Sequence, residues 1–316
     1  MSELLQYLVA GIGLGSVYAL VALGFVVIYR ASQVFNFAHG ELLSFGALLM
    51  VWMSAPPADP DAALGLGAPE VSGLGLPWGL ALVLAIGATG VLAALIERIA
   101  LRPLVGRPVF VPIIITLFIG FLLRTGLILA FGAGPMPLRT PWDPMARFDV
   151  GGAAIDYSAA SVIGATAVAL IAFFALLRFS RLGIAMRATA GDQEASLGVG
   201  IPVGRIFGAS WFIAGAFAAL AGIFLGMFPR NVDANLGFVA LRAFPAVIVG
   251  GLESPTGAVI AGLLLGVLEV LTAGYVNDSF GEMSKNFHAV LPYLVMIGVL
   301  VVRPYGLFGR RRVERL

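Results

Sequence analysis

The chain has 316 residues, 60% of them hydrophobic and only 11% charged, where a soluble domain carries about 25% charged residues. A soluble enzyme or nucleic-acid-binding domain is therefore excluded in favour of a polytopic membrane protein whose surroundings are a lipid bilayer. There is no cysteine, so disulfide and thiol chemistry are excluded, and the pI near 9.1 rests on arginine, with Lys285 the one lysine; it reads as a topology signal and not as a nucleic-acid footprint.

Apolar runs fall at residues 8–29, 34–53, 77–96, 110–131, 158–177, 207–228, 257–275 and 289–302. About 20 residues at ~1.5 Å rise cross the ~30 Å hydrocarbon core. The expected fold class is all-α. It is one transmembrane helix bundle over residues 1–316, with about eight spanning helices plus one short or re-entrant element. The first run is too long for a signal-peptide core and shows no cleavage site, so it is expected to be retained. The second run is continuously apolar only over 42–53, roughly 18 Å of helix. To cross, that helix must begin near Val34. Asn36, His39 and Glu41 would then lie inside a membrane helix near its polar end. Intramembrane polar groups are costly and are candidates for a solute path or a buried polar network. His39 has no second histidine or cysteine nearby, so no metal is expected. It is expected to hydrogen-bond Asn36, one turn earlier on the same helix face.

Basic residues orient the helices. Thirteen lie in one set of loops: Arg30; Arg98, Arg102 and Arg107; Arg178, Arg181, Arg187 and Arg205; Arg303, Arg310, Arg311, Arg312 and Arg315. Five lie in the other: Arg139, Arg147, Arg230, Arg242 and Lys285. The richer set reads as cytoplasmic, with the N-terminus outside and the C-terminus inside. The runs 207–228 and 257–275 must then both lead outward, so the chain between them must enter. Only the short run 243–252 is available for that. A half-spanning element over 238–252 is expected, turning at 253–257, with Gly250 and Gly251 suited to a close backbone approach. Glu253 is expected in a hydrated pocket opening to the cytoplasm; alternatively it marks the end of an ordinary tilted helix.

Arg124 lies within the run 110–131, and Glu269 within 257–275. Arg124 reads either as a path residue touching a solute carboxylate or as one half of an interhelical salt bridge. Its partner in that bridge would be Glu269, or else Glu97 or Glu41. Small residues recur at Gly11 and Gly15, Gly222 and Gly226, and Gly262 and Gly266, a spacing that permits close helix crossing. The cytoplasmic loop 178–205 holds Asp192 as a helix N-cap, Glu194 in the first turn and Gly198 or Gly200 as a left-handed stop. That pattern gives a short helix parallel to the membrane. No P-loop sequence and no serine–histidine arrangement is present, so no covalent chemistry is expected.

The stretches 18–24 (YALVALG) and 36–41 (NFAHGE) resemble the permease family of branched-chain amino acid ABC importers, whose members also serve amides and urea. Glu194, Ala195 and Gly200, within EASLGVG, resemble the coupling motif of ABC importer permeases, with Ser196 in its third place and its later part absent. The resemblance implies that the loop 178–205, with Asp192, Glu194, Ala195 and Gly200, docks on a cytoplasmic ATPase. It implies a second related permease subunit, two ATPase subunits that bind the ATP, and a periplasmic solute-binding protein. It also implies a bacterial inner-membrane location, with no cofactor in this chain. The family often has a small residue where Glu253 stands. The rival reading is an ion-coupled secondary transporter or channel. That class shows inverted repeats and a midplane ion site. The sequence shows no clear repeat and few midplane acids besides Glu269.

Overall fold

The computed structural model describes residues 2–57, 72–108, 110–143, 145–150, 153–227, 230–276 and 286–309. Each apolar run becomes a helix. In order these are α1 (Ser2–Ser32), α2 (His39–Ser54), α3 (Trp78–Ile96), α4 (Phe110–Phe131), α5 (Tyr157–Phe179), α6 (Arg181–Gly191), α7 (Gln193–Gly198), α8 (Val203–Leu225), α9 (Val239–Gly250), α10 (Pro255–Tyr275) and α11 (Phe287–Val302). Among the described residues six helices are long and apolar enough to cross a membrane: α1, α3, α4, α5, α8 and α10. The helices α2 and α11 have 16 residues each, about 24 Å. The loop before α5 is not wholly irregular. It contains a hairpin of β1 (Arg147–Val150) and β2 (Ala153–Asp156), clasped by an exposed Arg147–Asp156 ion pair at 2.7 Å.

The second helix departs from the sequence reading. It begins at His39 and not near Val34, and Asn36 is not helical. The cause is local. Asn36 Oδ1 accepts the Ala38 N–H at 3.0 Å, and Asn36 C=O accepts the His39 N–H at 3.2 Å. The side chain competes for the backbone and holds a turn where a helix would otherwise start.

The short element is present as expected. A 3₁₀ turn (Leu236–Phe238) leads into α9, 12 residues or about 18 Å long. Gly251 stops it with φ 96°. Ser254 then caps α10 by accepting the Gly257 N–H at 3.1 Å. Both glycines here are close-approach positions: a Cβ on Gly250 would lie 2.5 Å from Ala258 N, and one on Gly251 would lie 2.8 Å from Gly309 N.

The core is built around α1 and α8. Helix α1 is buried from Val17 to Ile28, with Gly24 among the contacts, and packs on α8, α9 and most extensively on α10. Its seam with α10 is made of glycine. A Cβ on Gly266 would lie 2.2 Å from Gly15 Cα, one on Gly15 would lie 2.7 Å from Leu263 O, and one on Gly262 would lie 2.6 Å from Ala19 N. Two G-x-x-x-G faces therefore meet each other, backbone on backbone. Helix α8 does the same elsewhere: a Cβ on Gly222 would lie 2.2 Å from Leu43 O of α2. The outward faces of α3, α4 and α5 are mostly large apolar side chains, as lipid requires.

This packing generates a prediction. Gly266→Ala lowers stability in reversible detergent unfolding by about 1–3 kcal/mol, because no rotamer relieves a backbone clash. Gly126→Ala in α4, where a Cβ meets nothing within 4 Å, changes stability by less than about 0.5 kcal/mol. Equal effects at the two positions would contradict the glycine seam.

Candidate functional site

The loop between α5 and α8 folds into two capped helices. Ser180 Oγ accepts the Gly183 N–H at 2.9 Å and starts α6. Asp192 Oδ1 accepts the Ala195 N–H at 2.9 Å and starts α7. The other end of α7 is closed by two reverse bonds. Gly200 N–H donates to Leu197 O at 3.0 Å and Ile201 N–H to Ser196 O at 2.9 Å, with Gly200 at φ 83°. This is the Schellman arrangement, which needs a residue tolerant of the left-handed region. Ser196 is buried under the turn, while Glu194, Leu197 and Val199 face outward. Gln193 Nε2 donates to Ala31 O at 3.1 Å and so ties the start of α7 to the end of α1.

The polar residues of the membrane region fall into separate groups. His39 is fully buried, packed on Gly24 and on the Phe25 ring at 4.6 Å between centroids. Asn36 Nδ2 has no hydrogen-bond partner among the described residues, and the His39 ring faces the backbone of Val21. The expected His39–Asn36 side-chain bond is not formed, because the turn at Asn36 places the two residues off any common helix face. Glu41, in the first turn of α2, is half-buried. Arg124 donates to Asn235 Oδ1 and stacks on the Phe238 ring, 4.3 Å from its centroid.

Glu269 has a different partner from the one expected. Its Oε2 accepts the Tyr18 hydroxyl at 2.7 Å in the buried seam between α1 and α10. The Arg124–Glu269 salt bridge is therefore not formed. Glu97 is also taken: it is buried in a π-helical turn (Glu97–Leu101) and bridges Arg102 at 3.0 Å. The π turn brings together residues five apart, a spacing that helical periodicity does not flag. Glu253 is half-buried at the rim of a cavity of about 310 Å³ shared with Arg30, Arg187 and Ser254. Among the described residues no cluster of three histidines or acids forms a metal site.

Two measurements check this geometry. Asp192→Ala removes a cap worth about 1 kcal/mol, so amide exchange at Ala195 in α7 accelerates about fivefold while α8 is unaffected; unchanged exchange at Ala195 would contradict the cap. Tyr18→Phe strands a buried carboxylate and costs about 1–3 kcal/mol, whereas Tyr18→Phe with Glu269→Leu costs less than the sum of the two singles. Strict additivity in a double-mutant cycle would mean that the bond contributes nothing.

Known proteins supply the family. The family model described as branched-chain amino acid transport system / permease component matches residues 7–300. The chain is 31% identical to the high-affinity branched-chain amino acid transport system permease protein LivH of Salmonella typhimurium (strain LT2), over 99% of this chain and 97% of that relative. Identity is 30% to LivH of Escherichia coli (strain K12), with the same coverage. It is 31% to the permease protein BraD of Pseudomonas aeruginosa, over 99% of this chain and 98% of BraD. No solved structure matches the chain. With apolar helices in series and a match over nearly its whole length, the chain is a multi-pass membrane protein that belongs to the permease-component family of branched-chain amino acid ABC transport systems.

Proposed function

We propose that this permease subunit carries branched-chain amino acids, or a closely related small polar solute, inward across a bacterial inner membrane. Its energy comes from ATP hydrolysed by two separate cytoplasmic ATPase subunits, and a periplasmic binding protein delivers the solute. A second, related permease subunit completes the path. The relatives are named for branched-chain amino acid transport, which supports the substrate class.

The observation that carries the coupling role is α7. A six-residue helix is too short to persist without its ends fixed, and here both ends are fixed, by Asp192 and by Gly200. It is thus a preformed knob, with Glu194, Leu197 and Val199 outward. Its tie to α1 through Gln193 gives a route from that knob into the bundle. The arginine asymmetry between loops supports the orientation, with the N-terminus outside and the C-terminus inside.

The test is reconstitution of this chain in proteoliposomes with its partner permease, ATPases and binding protein. Labelled leucine enters only with ATP and binding protein, and Glu194→Lys lowers uptake at least tenfold in complexes that still assemble. Uptake that follows an imposed ion gradient without ATP would replace this reading with a secondary carrier. The chain has no native cysteine, so Ala190→Cys reports orientation. It reacts with impermeant thiol reagents from the cytoplasmic side alone; reaction from outside in sealed cells would reverse the topology.

A further inference from the structure

Three elements converge on one stripe of α4. Thr116, Gly120 and Arg124 follow at four-residue steps and share a face. Thr116 Oγ1 accepts the Phe37 N–H at 3.3 Å, while its own proton goes to Ile113 O within α4 at 2.9 Å, with Phe35 O farther off at 3.4 Å. A Cβ on Gly120 would lie 3.7 Å from Glu41 Cγ. One turn on, Arg124 meets Asn235 and Phe238. The stripe thus receives the non-helical segment before α2 and the turn and 3₁₀ segment before α9, each at its junction with a helix. Those two junctions also touch each other: Gly237 N–H donates to Ser44 Oγ at 2.7 Å, and a Cβ on Gly40 would lie 2.4 Å from Gly237 O.

Glu41 and Arg124 are neighbours on this stripe, yet no ion pair joins them. Arg124 is spent on Asn235 and Phe238, and Glu41 Oε2 is buried with no hydrogen-bond partner among the described residues. A carboxylate and a guanidinium on one stripe that do not close on each other leave a place for a third party. The stripe is also open. Phe238 is 52% exposed and Phe37 38% exposed, with Asn235 exposed beside them. Lipid cannot cover a face that carries a guanidinium and non-helical backbone, since both persist at membrane depth only against protein or water.

The geometry points to a transient binding site for a zwitterionic amino acid at Glu41, Arg124 and Asn235, on the wall of the translocation path. The solute carboxylate takes the Arg124 guanidinium and the Asn235 amide N–H. Its ammonium takes the half-buried Glu41 carboxylate, and its aliphatic side chain lies on Phe238. Charge-assisted bonds to both ends of the zwitterion orient it, and the exposed aromatic faces accept the branched side chain without reading its shape closely. This site rests on the proposed function above, because a neutral amide or urea would use only half of it.

The experiment uses the whole reconstituted transporter with labelled L-leucine. If the wild-type complex takes up no leucine under ATP, the proposed function fails. If it does, Glu41→Gln and Arg124→Gln each lower leucine uptake at least tenfold per assembled complex. The charge exchange Glu41→Arg with Arg124→Glu does not restore it. Uptake within twofold of wild type in either single variant, or restoration by the exchange, would overturn the site. For variants that do not assemble, Phe238→Cys decides. In the assembled transporter it reacts with an impermeant methanethiosulfonate, and leucine with binding protein and ATP slows that reaction at least threefold. Val83→Cys, on the exposed apolar face of α3, does not react. A Phe238→Cys that is as inert as Val83→Cys, or that leucine leaves unprotected, would overturn the site.

Discussion

Hydrocarbon tails are as apolar as leucine, so burying apolar side chains does not hold two helices together in a bilayer. What remains is close packing and the hydrogen bonds that close packing admits. The contact between α1 and α10 depends on this more than any other in the protein. Gly11, Gly15, Gly262 and Gly266 let the two backbones touch, and Tyr18 and Glu269 pair across the same seam. A carboxylate at that depth is tolerable only because its partner is fixed. Helix α8 uses the same device against α2 and α3, through Gly222 and Gly215. Rigid seams on α1 and α8 leave α4, whose exposed side is large, free to be a wall rather than a core element.

Against that rigid pair stand two interruptions. The segment before α2 and the segment before α9 both break helical geometry, and Gly40 and Gly237 bring them into contact. Helix N-termini carry partial positive charge, so the region where α2 and α9 begin is electrostatically distinct from the apolar faces around it. The buried His39 and Asn36, the latter with an unpartnered amide nitrogen, mark the same region.

The sequence was informative wherever one residue decides local geometry or where apolar length alone sets the outcome. The eight runs became helices because length and hydropathy suffice. The short α9 was expected from counting membrane crossings. Gly250 and Gly251 were legible as close-approach positions, whereas the stop at Gly251 and the cap at Ser254 came only with the structure. Asp192 and Gly200 were legible because only a few residue types cap and stop a helix. Partner choice was not. Arg124 had three acids to choose from and took none, preferring Asn235 in a non-helical segment whose path no periodicity predicts. Glu97 met Arg102 through a π turn. The start of α2 moved because one Asn side chain outbid the helix for the backbone, a contest between energies of similar size. The hairpin at 147–156 carries no strong alternation, and its exposed ion pair adds little.

Helix α1 has 31 residues, about 46 Å, half as long again as the ~30 Å hydrocarbon core. Such a helix lies tilted or leaves part of its length outside the core. Its glycine seam carries α10 with it, and Gln193 ties α7 to its last turn. Bilayer thickness thereby becomes a mechanical input. It bears on the tilt of the α1–α10 pair and, through Gln193, on where α7 lies relative to the headgroups.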